Sequence, residues 1–145
     1  MKYALTPLLA LLLFMGCDET KKAIDVAGSV QLSGAYRVTA MNSKAMNGPE
    51  QLTINFSALD KSVRGTTGCN SYFGSYRLDL YALSLNDIAS TEKACEEPIM
   101  NNENKFLQAL NNVGSYALQQ DKLVLYSKND RSELIAATRV KNNEQ

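Results

Sequence analysis

The stretch GTTGCNSYFGSY, Gly65–Tyr76, sets a cysteine between turn-forming residues and an aromatic run. Gly68, Asn70 and Gly74 are residues that turns demand, because glycine and asparagine tolerate left-handed backbone. Cys69 has three readings: nucleophile, metal ligand or one end of a disulfide. A nucleophilic thiol is usually activated by a histidine, and the chain has none. Two thiolates do not complete a tetrahedral zinc site, and Cys69 and Cys95 are not spaced as a Cys-x-x-Cys pair. A bridge between Cys69 and Cys95 closes a loop of about 27 residues, worth roughly 3.5 kcal/mol by chain entropy. Asn70, Tyr72 and the flanking glycines are then either a turn or a ligand contact. Strand alternation would bury part of the set Tyr72, Phe73 and Tyr76.

The third cysteine, Cys17, lies at the other end of the argument. MKYALTPLLALLLFMGC opens with Lys2, continues through the apolar run Leu8–Phe14 and ends in Gly16-Cys17. A basic start, a short apolar core and a small residue form a secretory leader, too short to span a bilayer as a permanent helix. An ordinary signal peptide is one reading. FMGC also resembles the lipobox of bacterial lipoproteins, with Phe14 and Met15 where leucine and a small residue are usual. On that reading residues 1–16 are removed and Cys17 is acylated. That accounts for the odd cysteine and leaves an even pair in an oxidising compartment. The mature chain would carry 14 basic residues, 15 less Lys2, against 15 acidic. A net charge of −1 leaves attachment to the acyl chains rather than to charge. Asp18 resembles an inner-membrane retention signal; without that rule the outer membrane is the destination.

Residues 17–32 are polar and rich in small side chains, and read as a flexible tether. From 33 to 140 the pattern is that of one domain. SGAYRVTAMN, QLTINFS and SVRGTTG alternate as half-buried strands, and SYRLDLYALSLND gives one or two more. GCNSYFG reads as turn. IASTE could be a short strand. EEPIMNNENKFLQALNNV changes period: Ile99, Phe106, Leu110 and Val113 share a helical stripe, Pro98 suits the first turn, and Gly114 is placed to end the helix. SYALQQ, KLVLYSK and ELIAATRV are the last three strands, and 141–145 a disordered tail. The fold class is α+β: mainly antiparallel β, a curled sheet or partial barrel of about eight short strands, with one packed helix before the last three.

GTTGCNSYFGSY, IASTEKAC and ENKFLQALNNVGSYALQQDKLVLY together resemble the META domain (HslJ-like) family. The carrying residues are Gly68, Cys69, Asn70, Tyr72, Gly74 and Tyr76, then Thr91 and Cys95, then Phe106, Ala109, Leu110, Tyr116, Leu123 and Leu125. The resemblance implies a small β-rich fold with one helix, frequent in envelope lipoproteins and associated with stress response or motility. It implies no catalytic set.

The expectation is therefore a monomeric, non-enzymatic envelope lipoprotein facing the periplasm. It would meet the bilayer through acylated Cys17 and act on an unidentified envelope protein or small ligand. No nucleic-acid partner is expected, because the 15 basic and 15 acidic residues form no basic stripe. Glu92, Glu96 and Glu97 near Asp87 lack calcium-loop spacing, so no metal or cofactor is expected. The alternative is an inhibitor-type module that captures an envelope hydrolase through the polar, turn-rich loop MNSKAMNGPE, Met41–Glu50.

Overall fold

A computed structural model describes residues 17–48 and 51–141. Helix α1 (Cys17–Leu32) leads into β1 (Gly34–Met41), β2 (Lys44–Ala45), β3 (Thr53–Ser57), β4 (Ser62–Thr66), β5 (Ser71–Asp79) and β6 (Ala82–Ser90). Helix α2 (Glu97–Asn111) follows, then β7 (Val113–Gln119), β8 (Lys122–Ser127) and β9 (Glu133–Arg139). The pairs are antiparallel in the order β2-β1-β3-β4-β5-β6-β7-β8-β9, and β1 also pairs with β9. That last pairing closes the sheet into a barrel of eight strands, with β2 left outside it. The curled sheet expected from the alternation is thus a complete barrel. Closure removes the free edges that an open sheet would leave on all but β2.

The alternating residues fill the interior. Tyr36, Ile54, Phe56, Val63, Tyr72, Leu83, Leu123, Leu125 and Ile135 are all buried. The aromatic rings meet edge to face: Tyr36 with Phe56 at 6.4 Å, Phe56 with Tyr76 at 5.3 Å and Tyr72 with Phe106 at 5.6 Å. Such contacts add to the stabilisation from the area they bury. Register shifts in the β1–β9, β5–β6, β7–β8 and β8–β9 pairs bend the strands as closure requires. The β6–β7 seam has a single register pair, Ala82 with Ser115.

Three boundaries differ from the sequence reading. The segment GCNSYFG is a turn only to Asn70; β5 begins at Ser71, because Tyr72 and Tyr76 point inward while Phe73 points out. Gly114 does not end α2. Asn112 is the cap, its N–H donating to the carbonyls of Ala109 and Leu110. Gly114 lies within β7 instead, where a Cβ would sit 2.4 Å from the Cα of Lys128. The third correction is the tether. Residues 17–32 form α1, whose inner face is Asp25, Gly28, Ser29 and Leu32, at helical spacing. Tyr36 donates its hydroxyl proton to the Leu32 carbonyl at 2.9 Å, and the Leu80 N–H donates to the Asp25 carboxylate at 3.0 Å. A buried face of such mixed chemistry has no hydropathy period, so the helix is silent in the sequence. Residues 1–16 and 142–145 lie outside the described residues; Lys141 pairs with Asp121 at 3.0 Å.

The two helices occupy opposite ends of the barrel. α1 lies against the end that holds the start of β1 and the β3–β4 and β5–β6 turns, through Lys61–Ser29, Leu80–Asp25 and Lys21–Asp79 contacts. α2 covers the end that holds the β1–β2 hairpin and the β4–β5 turn.

In the β3–β4 turn, hydroxyls of Ser57 and Ser62 and the Ser62 amide hold the Asp60 carboxyl down at about 2, from an ordinary 3.8. A depressed acid contributes stability above its unfolded value and loses it as pH falls through its folded value. Asp60→Asn is therefore expected to flatten the acid limb of stability between about pH 4 and pH 2. Urea titrations at several pH values check it; because the group is fully exposed the effect is small, and an unchanged slope would show that this turn carries none of the acid sensitivity.

Candidate functional site

The residues singled out around Cys69 converge on one junction. Cys69, just before β5, is bonded to Cys95, just after β6. The bridge closes the mouth of the β5–β6 hairpin and fixes it to the first turn of α2. Gly68 holds a positive φ of 94°, the conformation for which glycine is suited. Gly74 stands where β5 slips register, and a Cβ there would lie 2.8 Å from the Asn86 carbonyl oxygen.

Asn70 is the centre of the junction, and its side chain uses all its hydrogen-bonding positions. Its Nδ2 donates to Glu103 at 2.9 Å and to the Lys93 carbonyl at 3.2 Å. Its Oδ1 accepts from the Thr91 hydroxyl at 2.7 Å and from the Lys93 N–H at 2.8 Å. Glu103 lies on α2, only 4% exposed, and accepts a further hydrogen bond from the Thr67 hydroxyl. Thr67 in turn accepts from the Asn70 N–H at 2.9 Å. Neither ion pair among the described residues involves Glu103. The group is a polar lock joining the β4–β5 turn, the strand exit at Thr91 and α2. It is not an exposed recognition motif.

Tyr72 belongs to the core. Its hydroxyl donates to the Thr53 carbonyl at 2.9 Å, and burial pushes the phenol far above its usual range. Glu92, Glu96 and Glu97 are exposed. Cys17 is the first residue of α1.

Glu103, Thr67 and the Lys93 backbone were missed by sequence reasoning. Glu103 does leave a trace. It falls at the i+4 position between Ile99 and Phe106, a carboxyl inside the apolar stripe of α2, where a charge needs partners.

A groove on the same end of the barrel has room for a ligand. The β1–β2 hairpin turns through Asn42 and Ser43, both at positive φ (48° and 60°), as a two-residue hairpin loop requires. The Asn42 N–H donates to the Leu134 carbonyl and the Met46 N–H to the Thr39 carbonyl, both at 2.9 Å, so the hairpin is held. Between it and α2 lies a cavity of about 430 Å³. Met41 and Met46 give it an apolar floor, and Lys44, Lys105, Asn47 and Asn102 a polar rim. A smaller cavity of about 180 Å³ shares Asn42 and Lys105 and extends it towards Leu134. Lys44 and Lys105 form no ion pair among the described residues. The arrangement suits a ligand with an apolar body and an acidic or carbonyl-rich edge. It includes most of the loop 41–50 picked out by sequence, though Pro49 and Glu50 are outside the described residues.

The META domain family model matches residues 29–139. The chain belongs to the META domain family. Solved structures agree on the fold. A protein from Burkholderia xenovorans, solved by NMR, is similar with a TM-score of 0.65 and 21% identity, over 81% of this chain and 89% of that one. A DUF4847 family protein from Bacteroides vulgatus, known from a crystal structure, is similar with a TM-score of 0.58 and 16% identity, over 81% and 99%. No match was found among curated proteins. In this META domain the motif residues Gly68, Cys69, Asn70, Thr91 and Cys95 build the junction that holds α2 in place. The groove is formed by other residues.

Proposed function

We propose that this META-domain protein is an envelope lipoprotein, anchored through acylated Cys17, that binds a protein or small ligand without catalysis. Stress response or envelope homeostasis is the process it would serve. The observation that carries the binding reading is the groove between the β1–β2 hairpin and α2, with two lysines that form no ion pair among the described residues over a methionine floor. It lies at the end of the barrel opposite α1, and so faces away from an anchor at Cys17. The non-catalytic reading rests on chemistry. The chain has no histidine, Cys69 and Cys95 are joined, and Glu103 is occupied by Asn70 and Thr67. An inhibitor of an envelope hydrolase is a second reading, favoured by β2, an edge strand outside the barrel that could add to a partner's backbone.

Crosslinking in the native envelope tests both. One envelope protein should be enriched reproducibly, lost in Cys17→Ser and weakened about tenfold in Lys44→Glu/Lys105→Glu. Enrichment of a hydrolase, abolished by deleting Asn42–Gly48, would select the inhibitor reading. A blank at good crosslinking yield would remove the protein-partner reading in favour of a small ligand.

A further inference from the structure

Helix α1 is largely inside out. Its inner face carries Asp25, Gly28 and Ser29 with one large apolar side chain, Leu32, at its end, while Ala23, Val26, Ala27 and Val30, at helical spacing, face outward. A helix on a water-exposed surface has the reverse arrangement. The barrel end beneath it shows the same bias. Leu59 in the β3–β4 turn is 97% exposed and Tyr81 in the β5–β6 turn 82% exposed, with Leu80 and Val140 also exposed. Among the described residues, Phe73 is the single large exposed apolar side chain away from this end. Single exposed apolar residues are ordinary, but their collection on one face is not. Leu80 is also a poor choice for its turn. It holds a positive φ of 57°, which asparagine or glycine adopts more easily. The hydrogen bond from its N–H to Asp25 and the Lys21–Asp79 pair at 2.9 Å fix this tip against α1.

We propose that this face, the outer side of α1 with the Leu59, Leu80–Tyr81 and Val140 tips, seats on the lipid surface of the membrane. The occupant follows from the chain itself. The apolar run Leu8–Phe14 and Cys17 are joined directly to α1, so an acyl anchor or an inserted leader would emerge beside this face. The near-neutral charge removes electrostatic adhesion as the driving term and leaves apolar insertion. Tyrosine and leucine at loop tips suit the headgroup boundary. Seating would fix the orientation of the barrel and hold the groove end away from the bilayer. The inference rests on anchorage at this end and adds contact and orientation to it.

The chain has no tryptophan, so one introduced residue reports alone. Full-length acylated protein carrying Tyr81→Trp, and separately Leu59→Trp or Phe73→Trp, is reconstituted into phosphatidylcholine vesicles with or without bromine on the acyl chains. Emission of the Tyr81→Trp and Leu59→Trp proteins should be blue-shifted and roughly halved by the brominated lipid, as expected for side chains 5–10 Å into the boundary. Phe73→Trp, on the barrel wall, should be unaffected. Protein that floats with the vesicles but is unquenched at Tyr81→Trp and Leu59→Trp overturns seating and leaves anchorage intact. Equal quenching at Phe73→Trp overturns the fixed orientation. A blue shift that grows with protein concentration without lipid would assign the face to a second copy, and failure to float would overturn anchorage and seating together.

Discussion

Asn70→Ala is expected to destabilise the fold by roughly 3–4 kcal/mol, among the largest single-residue losses in this chain. The substitution removes two donors and two acceptors at once. It leaves the Glu103 carboxyl with Thr67 alone and takes a partner from the Thr91 hydroxyl and from both backbone groups of Lys93. Each buried polar group left without a partner costs about 1–3 kcal/mol, and Lys93, at the edge of a shallow groove, regains part of this from water. Glu103→Ala should cost somewhat less, because Asn70 keeps its bonds to Lys93 and Thr91. The double variant should fall short of the sum by about 1 kcal/mol or more, since the two residues share one network. Urea unfolding with unchanged m-values is the measurement. Additive losses would mean that the two side chains act independently and that the lock is not a unit. Hydrogen exchange in α2 should speed up in both single variants, because the lock joins that helix to the barrel.

Opening the Cys69–Cys95 bridge is expected to cost about 3.5 kcal/mol, from the loop it closes in the unfolded chain. For a domain of this size that lowers the melting temperature by roughly 10–15 °C. Cys69→Ser/Cys95→Ser and reduction of the wild-type protein should agree. The loss includes a local component, because the bridge also holds the strand exit at Lys93 beside Asn70. A loss below about 1 kcal/mol in the double serine variant would show that the unfolded chain is already constrained there. Thiol labelling of the native protein, silent at Cys69 and Cys95, confirms that the bridge is the object being tested.

These two effects meet at one place, which explains why the motif reads as it does. Gly68 is present for its backbone angle, Cys69 and Cys95 for the crosslink, Asn70 for its four hydrogen bonds and Thr91 for a hydroxyl that faces Asn70. A motif of this composition invites a catalytic reading. Its residues instead hold α2 over the barrel end, and the groove lined by Met41, Met46, Lys44 and Lys105 depends on where α2 sits.

Much of the fold was legible because strands announce themselves by alternation. Tyr36, Val38, Ile54, Phe56, Leu83, Leu85, Leu123 and Leu125 recur at period two and are buried. α2 was legible by its stripe and by Pro98 at its start. The cysteine count pointed to the Cys69–Cys95 pair because setting Cys17 aside, read as the lipidated residue, left an even remainder. By itself, then, the sequence determined the class, the order of the barrel strands, the staple and the single helix before the last three strands, each through a local pattern or simple counting.

The tertiary structure decided what no local pattern contains. Closure of the barrel depends on β1 meeting β9, a pairing between the two ends of the domain. Glu103 became a structural partner only because Asn70 and Thr67, more than thirty residues earlier, are folded against it. α1 was read as tether because its buried face includes Asp25 and Ser29, satisfied by Leu80 and Lys61 from distant turns, and Gly28, where an added Cβ would lie 3.4 Å from the Tyr116 hydroxyl. Periodicity reports apolar burial along one segment. It cannot report polar and small residues whose partners arrive from elsewhere in the chain, and both α1 and the lock are made of those.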